Sequence, residues 1–158
     1  MGLRHRVGGL EKADVTGEVS HDPMNHQVMV GLRQKKVEKV VDDLPEQKLE
    51  GPEDADLLVV GWGGTYGALV SAVADLQQEG KSIALAHFNY LNPLPGNTRE
   101  ILNNHKKILV CELNMGQFAN YLRSKFPQHE YLQFNKIQGL PFMISELKSK
   151  FNEILEEI

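Results

Sequence analysis

The chain has 158 residues, 41% of them hydrophobic, a net charge of −4 and a single cysteine, Cys111. That size suits one globular domain with an arm, and the charge gives no general pull toward nucleic acid or an anionic membrane surface. A lone cysteine excludes an internal disulfide framework and any iron–sulfur cluster ligated by cysteines of this chain alone. No run reaches the ~18 apolar residues of a membrane span and the start lacks the apolar core of a signal peptide, so a cytoplasmic protein is expected.

Residues 1–20, with glycines at 2, 8, 9 and 17, show neither helical nor strand period and read as an extended arm. Asp22 and Pro23 then open a helix, as cap and first helical residue. It carries Val28, Met29 and Leu32, then Val37, Val40 and Val41, while Arg33, Lys35, Lys36 and Lys39 read as a solvated basic face. Residues 45–56 are acidic and hold two prolines and a glycine, a linker with a brief edge strand at 47–49. The chain therefore divides into an arm, helix and linker over 1–53 and a compact α/β domain over 54–158.

Within that domain, residues 57–60 have the length and β-branching of a buried parallel strand. Gly61, Gly63 and Gly64 permit a sharp strand-to-helix turn, and Thr65 is placed to cap a helix with Leu69, Ala72, Val73 and Leu76 on one face. Residues 82–88 form a second strand candidate, and Asn97 with Glu100 suggests a capping box for a short helix through Ile101 and Leu102. Residues 107–112 are the clearest strand. A helix over 117–126 follows, with Phe118, Tyr121, Leu122 and Phe126 on one stripe; 131–134 is a fourth strand. Pro141 opens a final helix with Leu147, Phe151, Ile154, Leu155 and Ile158 facing inward. Alternating strands and helices predict a three-layer α/β/α sandwich around a mostly parallel sheet.

In such a sheet ligands bind beyond the carboxyl ends of the strands, where the glycine loop falls. The loop is not a dinucleotide fingerprint: Tyr66 stands where a third glycine is needed, and His87, Asn89 and Tyr90, not an acid, follow the second strand. A phosphate-cradling lysine is absent too, so tight-turn packing is the favoured role. Glu112, Asn114, Gly116 and Gln117, after the third strand, should lie along the same edge. With no titratable partner readable beside Glu112, bonding to loop backbone or to a neighbouring subunit suits that group better than acid–base work. His21 and His26 fall on different helix faces, which disfavours a metal; His87 reads as a satisfied, buried histidine beside a cleft; Cys111 reads as inert core. No catalytic constellation and no metal site emerges.

Taken in order, G-L-E (9–11), H-D-P-M-N-H (21–26), R-x-x-K in the first helix, G-W-G-G-T-Y-G-A (61–68), N-P-L-P (92–95) and E-L-N-M-G-Q (112–117) resemble the α subunits of 2-oxoacid:ferredoxin oxidoreductases, more narrowly those of the 2-oxoglutarate type. The resemblance implies the C-terminal part of such a subunit, similar to the transketolase C-terminal domain. It implies an enzyme that decarboxylates a 2-oxoacid on thiamine diphosphate, passes electrons through an iron–sulfur cluster to ferredoxin and delivers the acyl group to coenzyme A. Thiamine diphosphate, its Mg ion and the cluster would lie elsewhere in the complete enzyme, with no cofactor held by this fragment. The β subunit and the N-terminal domain of the same α subunit would be its partners. Gly61, Gly63, Gly64, Thr65, Tyr66, Glu112, Asn114, Gly116 and Gln117 would form a cleft or interface edge. Lys12 stands where the family pattern has a histidine, a departure from that pattern in the arm. A free-standing nucleotide- or coenzyme-A-binding module and a pure oligomerisation domain are the rival readings.

Overall fold

A computed structural model describes residues 8–158, so the expectations for residues 1–7, His5 among them, lie outside the described residues. The chain divides into two compact units at 44/45, not at the expected 53/54. The reason is that the supposed linker is stitched to the sheet. Glu50 and Leu85 exchange backbone hydrogen bonds of 2.9 and 3.0 Å as an antiparallel bridge, and the Gln47 side chain donates to the His87 carbonyl at 2.9 Å. Asn97, expected to cap a helix, instead clasps this strap: its side chain bonds both the N–H and the carbonyl of Gln47, at 2.8 and 3.0 Å.

The second unit runs β1 (Leu57–Trp62), α2 (Tyr66–Gln78), β2 (Ile83–Phe88), α3 (Thr98–Asn103), β3 (Lys107–Glu112), α4 (Gln117–Lys125), β4 (Tyr131–Asn135) and α5 (Ile144–Leu155), following α1 (Pro23–Glu38) of the first. The four strands lie in the order β2-β1-β3-β4 and every pairing between them is parallel. Strand alternation sorts the core into two layers. Leu57 and Val59 of β1, Ile83 and Leu85 of β2 and Leu109 and Cys111 of β3 face α2 and α5, which contribute Leu69, Leu76, Leu147 and Phe151. Leu58 and Val60, Ala84 and Ala86, Ile108 and Val110 face α3 and α4, which contribute Leu102, Phe118 and Leu122. The expected three-layer sandwich is present, and its carboxyl edge gathers four loops.

Two helix boundaries differ from expectation. Pro141 does not open α5; Met143 and Glu146 do, the Glu146 carboxylate accepting the Met143 N–H at 2.9 Å. Helix α5 is consequently shorter, and Ile158 lies exposed beyond it.

The first unit is more ordered than its composition suggests. Residues 11–20 fold back as a hairpin, with Ala13 N–H to the Glu18 carbonyl at 2.7 Å and Ser20 N–H to the Glu11 carbonyl at 3.0 Å. The turn needs left-handed backbone at Val15 (φ 66°) and Gly17 (φ 73°). Asp22 caps α1 as expected, accepting the Met24 N–H at 2.9 Å.

Candidate functional site

The carboxyl edge of the second unit is built by two turns whose chemistry is directed inward. In the first, Gly61 lies where an added Cβ would run into Leu69 Cδ1 and stand 2.8 Å from Thr65 Oγ1, so α2 packs directly on the strand end. Gly63 takes φ +60°, the left-handed region. Gly64 meets neither requirement, which corrects the expectation for that position. Thr65 is not an acceptor cap for α2: its hydroxyl, buried, donates to the Trp62 carbonyl at 2.9 Å and closes the turn on itself.

The second turn is E-L-N-M-G-Q. The first four N–H groups of an α-helix have no partner within it. At α4 two side chains take them all. Asn114 Oδ1 accepts from Gly116 (2.7 Å) and Gln117 (3.2 Å), and the fully buried Glu112 accepts from Phe118 (2.8 Å) through Oε1 and Ala119 (3.0 Å) through Oε2. The remaining capacity of Glu112 Oε1 is used by Trp62 Nε1 and the Asn114 side chain, each at 3.1 Å. A carboxylate at a helix N-terminus, with four N–H donors on it, is stabilised by dipole and hydrogen bonds together. Gly116, at φ +87°, is where an added Cβ would strike Gln133 Oε1.

This arrangement settles what the edge can do. Strands β1 and β3 part company at the point where nucleotides enter open α/β sheets. Here the Trp62 indole and Glu112 close that point, and a phosphate finds no free amide at α4. Glu112 exposes no surface, and both its oxygens are committed to the turn. The nine predicted residues thus share one edge, but as turn-builders with few free functional groups.

Tyr66 is the exception. It is half exposed on a cleft of about 430 Å³ lined by Gln47, Glu50, His87 and Tyr90 among others. Its ring meets His87 edge-on at 5.0 Å, and the neighbouring Glu50 carboxylate holds its phenol above the ordinary value. Partial burial pushes His87 below its ordinary value. The expected satisfied histidine is not found: its shielded Nε2 has no partner among the described residues. Burial pushes the Cys111 thiol far up, in keeping with an inert core cysteine.

Sequence reasoning missed a second cluster, in the first unit. Glu11 of G-L-E accepts both guanidinium N–H groups of Arg33 at 2.9 Å and meets His26 Nδ1 at 2.6 Å. Asn25 joins it, donating to the Lys12 carbonyl at 2.9 Å. Arg33 is exposed like Lys35 and Lys36, as expected of a solvated face, but its guanidinium is committed to Glu11. Separations of 15 and 22 residues carry no periodic signal. The bonds from Arg33, then His26, hold the Glu11 carboxyl down from 4.5 to about 2. A depressed carboxyl contributes fully above its unfolded value, and the contribution is lost as pH falls through about 2. We expect the Glu11 carboxyl carbon to titrate near there by NMR, and Arg33→Gln to raise the midpoint by at least one unit; an unmoved midpoint would refute the pairing.

No family model matches the chain. Mycobacterium tuberculosis 2-oxoglutarate oxidoreductase subunit KorA is 40% identical over 147 residues, covering 92% of this chain and 22% of that protein. The α subunit of 2-oxoacid:ferredoxin oxidoreductase 2 from Aeropyrum pernix is 28% identical over 95% of this chain and 24% of that one. Among solved structures, 2-oxoglutarate:ferredoxin oxidoreductase from Magnetococcus marinus, described with 2-oxoglutarate, coenzyme A and succinyl-CoA bound, superposes with a TM-score of 0.85 at 28% identity, over 96% of this chain and 27% of that one. These relatives are oxidoreductase subunits, and the chain spans about a quarter of their length. The chain is similar to one part of the α subunits of 2-oxoacid:ferredoxin oxidoreductases.

Proposed function

We propose that this chain is the C-terminal assembly domain of the α subunit in a cytoplasmic, thiamine-diphosphate-dependent enzyme that oxidatively decarboxylates 2-oxoglutarate to succinyl-CoA and reduces ferredoxin. The observation that carries the assembly role is the saturation of the α4 N-terminus by Glu112 and Asn114 at the edge where a catalytic group would have to sit. The 40% identity to a 2-oxoglutarate subunit over a fifth of its length supports the enzyme class and the substrate.

The glycine loop does not fit the diphosphate of that chemistry. A diphosphate needs free amides or a cationic side chain, and residues 61–68 contain no lysine or arginine. No group of three or more His, Cys, Asp or Glu is placed to hold a metal among the described residues, and Cys111 is buried. In this reading the thiamine diphosphate with its Mg ion, the iron–sulfur cluster and the contacts with ferredoxin and coenzyme A belong to the N-terminal domain of the α subunit and to the β subunit. This domain holds them in register. No helix of the described residues is long and apolar enough to cross a membrane.

The purified chain is expected to show no oxidation of 2-oxoglutarate with coenzyme A and an artificial electron acceptor. Its melting temperature should not move with saturating coenzyme A or adenine nucleotide. The complete α subunit with its β subunit should turn over, and deleting residues 45–158 should prevent recovery of the assembled pair. Turnover by the chain alone, or a ligand-induced rise of several degrees, would overturn the reading in favour of a free-standing module.

A further inference from the structure

Because all four strands are parallel, every loop after a strand lies at one edge and every loop before a strand at the other. The two edges differ in composition. The loops leaving the strands, 63–65, 89–97, 113–116 and 136–143, contain a single Asp, Glu, Lys or Arg in a chain that is 24% charged, and that one, Lys136, has a side chain only 9% exposed. They expose Tyr90, Leu113, Met115, Ile137, Leu140, Met143 and, at the starts of α2 and α5, Tyr66 and Ile144. The loops entering β2, β3 and β4 carry Glu79 and Lys81, Lys106, and Glu130, and expose no large hydrophobic residue.

The exposure is concentrated at the corner formed by the loops after β3 and β4, where Met115, Ile137, Leu140 and Met143 are 74, 63, 60 and 63% exposed. That corner is held in place. Lys136 donates its N–H to the Glu112 carbonyl at 2.9 Å and its ammonium to the Pro141 carbonyl (2.9 Å) and Glu146 (2.7 Å). Phe142 turns inward against Phe134, with ring centroids 5.2 Å apart. Leu140 and Met143 are thereby presented to solvent from a pinned loop. Depletion of exposed charge with enrichment in methionine marks the core of a protein interface.

We propose that this corner, residues 113–116 and 137–144, is a docking surface for the polypeptide that makes up the rest of its own α subunit. The inference rests on the assembly reading above. The occupant follows from length: the chain covers 22 to 27% of its relatives, so some three-quarters of such a subunit is tethered to this segment. A tethered surface acts at an effective concentration on the order of millimolar and outcompetes a second copy arriving from solution.

Hydroxyl-radical footprinting, comparing the chain alone with the complete α subunit, tests this. Met115 and Met143 should oxidise at least ten-fold more slowly in the complete subunit, and Tyr66 on the neighbouring loop should also be protected. Protection of Tyr66 without the two methionines would sink the corner and leave the assembly reading standing; protection of none of them would sink both. Protection that develops in the chain alone as its concentration rises would assign the corner to a second copy and overturn the proposal.

Discussion

Glu112→Ala is expected to lower folding stability by about 3 kcal/mol, on the order of 10 °C in melting temperature. The substitution removes no apolar packing of note. It leaves the Trp62 indole N–H and the amides of Phe118 and Ala119 facing a void in a buried site, and each unpartnered donor costs about 1–3 kcal/mol. Water entering the vacated space would recover part of this, which keeps the sum below the additive value. Glu112→Gln should fall between: one oxygen still accepts, but an amide N–H at the Oε2 position would oppose the Ala119 N–H. Trp62 is the chain's only tryptophan, so the folded variants should also show a shifted emission maximum. A melting temperature within a degree of the parent, with unchanged fluorescence, would dismiss the carboxylate as the organising group of this edge.

Gly61→Ala should cost about 1–3 kcal/mol through overpacking, since the new methyl must displace Leu69 Cδ1 and crowds Thr65 Oγ1 at 2.8 Å. The backbone at Gly61 is an ordinary strand conformation, so the penalty is one of space and should be reversible by making space. Leu69→Ala alone should destabilise by about 2–5 kcal/mol as a cavity in the core facing α2 and α5. In the double variant the added methyl meets no Leu69 Cδ1, and the loss should be less than the sum by at least about 0.5 kcal/mol. Additive losses in chemical denaturation would show that the strand–helix contact is not what requires glycine here. At Gly63, where φ is +60°, any side chain should be destabilising whatever stands nearby.

Much of the fold could be read from local pattern. The 107–112 strand coincides with β3, and the apolar stripe Leu69, Ala72, Val73, Leu76 is the buried face of α2. Asp22-Pro23 opens α1 by a mechanism contained in two adjacent residues. Errors fell where a polar side chain had a choice of partner. Asn97, Thr65 and Glu112 each have local cap chemistry; Asn97 bonds Gln47, fifty residues away, and Thr65 bonds its own turn. Trp62 carries the one local signal for that partner: a half-buried indole N–H needs an acceptor, and Glu112, ending the adjacent strand, supplies it.

The amino-acid order by itself determined the layered α/β/α body, because hydrophobic period and glycine–proline punctuation are local and each strand or helix must bury the face so marked. It also determined the charge-poor loops now gathered at the carboxyl edge, where Lys136 is the one charged residue. Only the tertiary structure decided that these loops share one edge, that four helix-start amides are already occupied, and that Glu11, His26 and Arg33 meet. Those facts depend on distances between residues remote in sequence, which parallel crossovers and a hairpin bring together and which no local period encodes.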